Sequence, residues 1–123
     1  MMTHANHEVS IMDIKSSAFS RLGPDFKGAT ILGNGIDQEV LRRAGIERAD
    51  AFVAATQGDN RNIMASQIAK HVFGVTRVVT RIYDPLRSDT FAALGLQAIS
   101  PTIIGANSFY EELTGESAPA IPV

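Results

Sequence analysis

Residues 28–56 read GATILGNGIDQEVLRRAGIERADAFVAAT. Two short apolar runs, at 29–32 and 50–55, enclose a helical pattern. The first run ends in Gly33-Asn34-Gly35, and Asp37 follows where its carboxylate can accept bonds from the free amides of a first helical turn. Gly45 suits the left-handed position that closes such a helix. The order predicts a strand at 29–32, a helix over 38–44 and a strand at 50–55. Both strands end in small residues, whose backbones can be approached closely.

The same alternation extends in both directions. Residues 8–14 read as a strand ending near Asp13, and Ala18, Phe19 and Leu22 take helical spacing before a stop at Gly23-Pro24. From Asn62 to Phe73, residues Met64, Ala65, Ile68, Ala69, Val72 and Phe73 form one apolar stripe, with His71 in the last turn and Gly74 as terminator. A strand at 76–83, a helix from Asp84-Pro85 to about Leu94, a strand at 97–100 and a helix from near Pro101 to about Leu113 complete the series. The closing GESAPAIPV has no periodicity, so residues 1–115 form one domain and 116–123 a linker or tail. Successive parallel strands need crossover helices. The expected fold is therefore α/β: a doubly wound, open, mostly parallel sheet with helices on both faces. Ligands bind such sheets outside the carboxyl ends of the strands.

Composition narrows the function classes. The chain has 123 residues, 45% of them hydrophobic, a formal net charge of −2 and no cysteine. The charge argues against a basic nucleic-acid or membrane-surface binder. Without cysteine there is no disulfide framework, which fits a reducing compartment. No apolar run approaches the roughly 18 residues of a membrane span, and MMTHANHEVS lacks the pattern of a signal peptide. His4, His7 and His71 share no metal-ligand spacing with a carboxylate. No nucleophile elbow or acid–base pair stands out.

The candidate binding residues sit at the strand ends. Asp13 is placed to accept from both ribose hydroxyls, or is a solvated turn residue. Asn34 offers an acceptor and donors to an adenine edge, or forms an ordinary Asn-Gly turn with Gly35. Ala54 and Ala55 leave space for a flat ring, and Thr56 can donate to a phosphate or ribose. Gly58-Asp59-Asn60 lead into a helix whose free N–H groups could face an anion, or are a helix start and nothing more. Arg81, late in an apolar strand, is either structurally paired or aimed at a phosphate.

Three segments, NHEVSIMD (6–13), GNGIDQEVLRRAGIERADAFVAATQGDNRNIMASQIAKHVFGVTRVVTRIYDP (33–85) and LGLQAISP (94–101), resemble the N-terminal domain of regulators of K⁺ conductance, the KTN or TrkA-N family, in family order. The resemblance implies a cytosolic Rossmann-like domain, not an enzyme, at the inner face of the cell membrane. It implies binding of NAD(H) or ATP/ADP, and a membrane potassium transporter or channel subunit as partner. It also implies homo-oligomers, with no nucleic-acid partner and no direct membrane insertion. Carried over by position, Asp13 matches the ribose-binding acid, Asn34 and Gly35 the turn where the family usually has Gly-Asp, Ala55 and Thr56 the strand end beside the ribose, and Arg81 the strand arginine that reaches phosphates. The family's first strand and glycine-rich loop have no counterpart before Asp13, and its C-terminal regulatory domain has none after Val123. A truncated or mis-started chain is one expectation from this, and gap-filling by a second copy is another. Both carry the expectations of weak nucleotide binding and of self-association. The alternatives are a fragment of an NAD-dependent oxidoreductase or a self-association scaffold.

Overall fold

The computed structural model of the chain describes residues 6–84 and 88–118. Five parallel strands form two sheets. In the first, β1 (Ser10–Asp13) pairs with β2 (Ala29–Leu32), with Ser10 opposite Ala29 and Asp13 opposite Leu32. In the second, β3 (Ala51–Ala54), β4 (Arg77–Arg81) and β5 (Gln97–Ile99) lie in that order. The one continuous sheet expected from the alternation is thus divided. Each strand needs a hydrogen-bonded neighbour to continue a ladder, and among the described residues no strand pairs with the second edge of β1 or of β3.

The chain divides into two compact units, residues 1–48 and 49–123. The first unit buries Val40, Leu41 and Ile46. Its helix α1 (Gln38–Arg43) starts as the sequence indicates, with the Asp37 carboxylate accepting from the amides of Glu39 and Val40. Gly45, at φ +92°, closes it in a conformation costly for any residue with a Cβ. The segment after β1 is a 3₁₀ helix, Ser16–Arg21, rather than an α-helix. No side chain caps its start, and Ser20 turns its hydroxyl back onto the Ser17 carbonyl (2.7 Å). Serines that compete in this way for backbone groups weaken a short α-helix.

In the second unit, α2 (Asp59–Gln67) continues into a π turn, Ile68–Val72, closed by a bond from the Phe73 amide to the Ile68 carbonyl and by Gly74 at φ +67°. The helix begins three residues before the expected Asn62, and its buried side differs from the apolar stripe. Met64 and Val72 are exposed, whereas Asn62, Ala65, Ser66 and Ala69 are buried. Small residues let α2 lie close to β3 and β4, where Thr80 donates to Ser66 (2.7 Å). Val75, Val78, Ile82, Phe91 and Leu96 complete this core. The opposite face of β3 carries Val53, which is 64% exposed, so covering by helices is incomplete there. Helix α3 spans Ser88–Ala93; its expected start at Pro85 lies outside the described residues, as do residues 119–123 of the expected tail. Helix α4 (Pro101–Thr114) has the Ser100 hydroxyl as its cap and proline in its first turn, and buries no side chain.

Candidate functional site

The carboxyl ends of β3 and β4 are joined by one side chain. Asn62, fully buried in the first turns of α2, uses its whole hydrogen-bonding capacity there. Its Oδ1 accepts from the Thr56 amide (2.9 Å) and the Thr56 hydroxyl (2.6 Å). Its Nδ2 donates to the carbonyls of Thr56 (3.0 Å) and Arg81 (2.9 Å). Three residues earlier on the same helix, the two carboxylate oxygens of Asp59 accept from the amides of Tyr83 (2.8 Å) and Asp84 (3.1 Å). The loop after β4 is thereby tied to the first turn of α2. An open cleft of about 330 Å³ lies here, lined by residues 57–61, Tyr83 and Asp84.

The guanidinium of Arg81 stacks over the Tyr83 ring, 4.3 Å from its centroid. Its Nε is buried with no acceptor, and among the described residues no carboxylate pairs with it. A half-buried cation with an orphaned donor is costly unless an acceptor arrives. Among the described residues Arg81 thus has a stacking partner in Tyr83 and no carboxylate partner. Thr56 departs from its expected role. Its single hydroxyl proton faces Asn62, and its oxygen accepts from the Gly58 amide (3.2 Å), so the hydroxyl is committed inward. Ala55 is exposed beside it.

Three other expected residues, Asp13, Asn34 and Gly35, belong to the first unit. Asp13 ends β1, and one of its oxygens accepts from the Lys15 amide (2.8 Å) while the other has no donor among the described residues. Asn34 forms a turn: its Oδ1 accepts from the Ile36 amide (3.1 Å) and its carbonyl from the Asp37 amide (3.0 Å). One lone pair of its Oδ1 is therefore engaged at home, while the second and the Nδ2 donors have no partner among the described residues and are open to an adenine edge. A methyl on Gly35 would meet open space. Gly33 has a structural reason: a methyl there would fall 2.4 Å from Val40 Cγ1. The small turn thus makes room for α1 at Gly33, and is open to a ligand only at Gly35.

Each unit carries one group whose chemistry suits a part of a nucleotide. Asp13 keeps one oxygen able to accept from a ribose hydroxyl, and Arg81 carries an unsatisfied donor suited to a phosphate. Sequence reasoning missed Asn62, Arg61 and Tyr83, and read Asp59 only as part of a helix start. The signal for Asn62 was a polar residue on the same side of the helix as Ser66 and Ala69. Among the described residues no group of His, Cys, Asp or Glu side chains converges as metal ligands, and no helix is long and apolar enough to cross a membrane.

Residues 1–101 match the family model of the TrkA-N domain. The chain is 45% identical over 94 residues to the Trk system potassium uptake protein TrkA of Streptomyces coelicolor, covering 76% of this chain and 42% of that protein. The chain thus spans less than half the length of this relative. Its fold is similar to the TrkA-N domain of the inner membrane protein ybaL from Escherichia coli, with TM-score 0.79 and 13% identity over 91% of this chain and 83% of that one. It is also similar to the Kef C-terminal domain of Shewanella denitrificans in an AMP-bound form, with TM-score 0.78 and 18% identity over 92% of this chain and 69% of that one. The parallel strands and intervening helices described above are therefore those of a Rossmann-like domain.

Proposed function

Because the chain belongs to the TrkA-N domain family, we propose that it is the nucleotide-sensing part of a regulator of potassium transport, acting on a membrane transporter or channel subunit and not as an enzyme. In this reading residues 1–115 form the nucleotide-binding domain, working in the cytoplasm at the inner face of the membrane, with 116–123 as a tail. The ligand is an adenine nucleotide or NAD(H). Asp13 accepts from the ribose. Asn34 and Gly35 border the base, and Ala55 offers its backbone and small side chain. Arg81 meets a phosphate.

The observation that carries this reading is Arg81. Its guanidinium, stacked on Tyr83 at the carboxyl end of β4, has a buried Nε with no acceptor and no carboxylate partner among the described residues. An anion is the chemical complement of that arrangement. The AMP-bound state of the structurally similar Kef domain supports the same ligand class. Self-association is part of the proposal, supported by Ile104, Phe109 and Leu113 of α4, which lie in water at 54%, 74% and 85% exposure.

The test is rubidium flux in proteoliposomes holding the membrane partner and this protein, titrated with AMP, ATP and NADH. Flux should change with at least one nucleotide, and Arg81→Gln should blunt the response. A flux that depends on the protein but on none of the nucleotides favours the scaffold reading instead.

A further inference from the structure

We propose that Asn62 is the positioning residue of the site, and that its carboxamide sets the separation of the β3 and β4 ends. The paired residues of these strands stop at Ala54 opposite Thr80. Beyond that pair, the backbone groups of Thr56 and the carbonyl of Arg81 would lack ladder partners. Asn62 supplies them. Toward Thr56 its carboxamide acts as a further strand residue would, accepting from the amide and donating to the carbonyl. Its second Nδ2 proton reaches across to Arg81, 19 positions away in sequence.

An ordinary packing role does not account for this choice of residue. Asn62 shares the buried side of α2 with Ala65 and Ala69, where alanine also fits. A buried carboxamide lowers stability unless every polar atom is paired. Here all four of its hydrogen-bonding positions are filled, three from Thr56 and one from Arg81. Asp59 repeats the device on Tyr83 and Asp84, one helical turn earlier. Beyond the Ala54–Thr80 pair, the ends that carry Thr56 and Arg81 are therefore held together through α2. The consequence for a nucleotide, that Arg81 is held at phosphate distance from the Thr56 backbone, rests on the reading under Proposed function.

Three measurements on the full 123-residue chain test the proposal. In the unaltered chain, the Asn62 Nδ2 protons should exchange far more slowly than a free carboxamide; exchange at the free rate overturns the clamp, and no variant has to fold for that result. Asn62→Asp keeps the acceptor for Thr56 but sets lone pairs against two carbonyls. Its amide shifts should move at Gln57, which shares a peptide with the Thr56 carbonyl, and at residues 81–83, whereas Asn62→Ala should in addition move the Thr56 amide itself. Uniform changes across the unit, or none at Thr56 and Arg81, would mean a packing role only. Titration with AMP should be weaker by about tenfold in Asn62→Asp, the equivalent of about one lost hydrogen bond, with a larger loss in Asn62→Ala. Unchanged AMP affinity in both variants overturns the positioning role. Absence of any AMP response in the unaltered chain refutes the nucleotide reading, while exchange and shifts still decide the clamp.

Discussion

Replacing Gly33 with alanine should destabilise the first unit, and replacing Val40 as well should recover much of that loss. A methyl at Gly33 lies 2.4 Å from Val40 Cγ1, 3.2 Å from Cγ2 and 3.3 Å from Cβ. Ordinary carbon contacts are about 3.5–4.0 Å. Rotating the valine side chain moves Cγ1 but leaves Cβ at 3.3 Å, and because Val40 is buried its methyl groups must then press on other neighbours. Overpacking of this kind costs about 1–3 kcal/mol, offset by up to about 1 kcal/mol from a stiffer unfolded chain. Val40 is buried, so Val40→Ala alone loses two methyl groups at about 0.8 kcal/mol each plus a cavity term, about 2 kcal/mol in all. In the double variant the clashing Cγ atoms are gone and the new methyl fills part of the hole. The two losses should therefore fall short of additivity by about 1–2 kcal/mol. Urea unfolding of the four proteins, followed by far-ultraviolet circular dichroism, reads the coupling. Strict additivity would refute the packing explanation of Gly33 and return this glycine to the ligand.

Asp37→Ala removes the cap of α1 and should cost about 1 kcal/mol in the same assay, and Asp37→Asn should cost less. Thr56→Val deletes the hydroxyl's bond to Asn62 and its bond from the Gly58 amide but leaves the backbone pair, so it should lower stability by about 1–2 kcal/mol yet change AMP binding little, because the hydroxyl proton faces inward. Leu113→Glu, on the exposed side of α4, should leave the unfolding midpoint unchanged and shift sedimentation at micromolar concentration toward monomer. An unshifted oligomer would remove α4 from the contact.

The legible parts of the sequence were the local ones. Asp37 and Gly45 announce the ends of α1 because a cap and a left-handed stop depend on residues within one turn. The parallel strands were legible for the same reason, as short apolar runs between turn residues. The identity of the buried side of α2 was not. Periodicity selects Met64 and Val72, which are exposed, and passes over Asn62 and Ser66, whose partners are Thr56, Arg81 and Thr80 on other elements. Polar residues read as surface until the strand ends that satisfy them are placed. Gly33 shows the converse: a glycine that looked like space for a ligand is space for Val40, seven positions on. The division into two sheets falls between β1 and β3, where the family's first strand has no counterpart in the sequence, although the alternation alone predicts one continuous sheet. Of the six expected binding residues, Arg81 has among the described residues an Nε without an acceptor and Asp13 an oxygen without a donor, whereas the Thr56 hydroxyl proton faces Asn62 and Asn34 Oδ1 accepts from the Ile36 amide.

The most direct measurement of the central claim is a titration of the isotope-labelled chain with AMP, read as backbone and arginine side-chain shifts by nuclear magnetic resonance. The expected result is saturable movement of Arg81 Nε, now hydrogen-bonded, with Ala55, Gly58 and Tyr83 moving in parallel, and no such movement in Arg81→Gln. If Arg81 Nε stays still at millimolar AMP, or the largest shifts fall away from the strand ends, the nucleotide site has been placed wrongly.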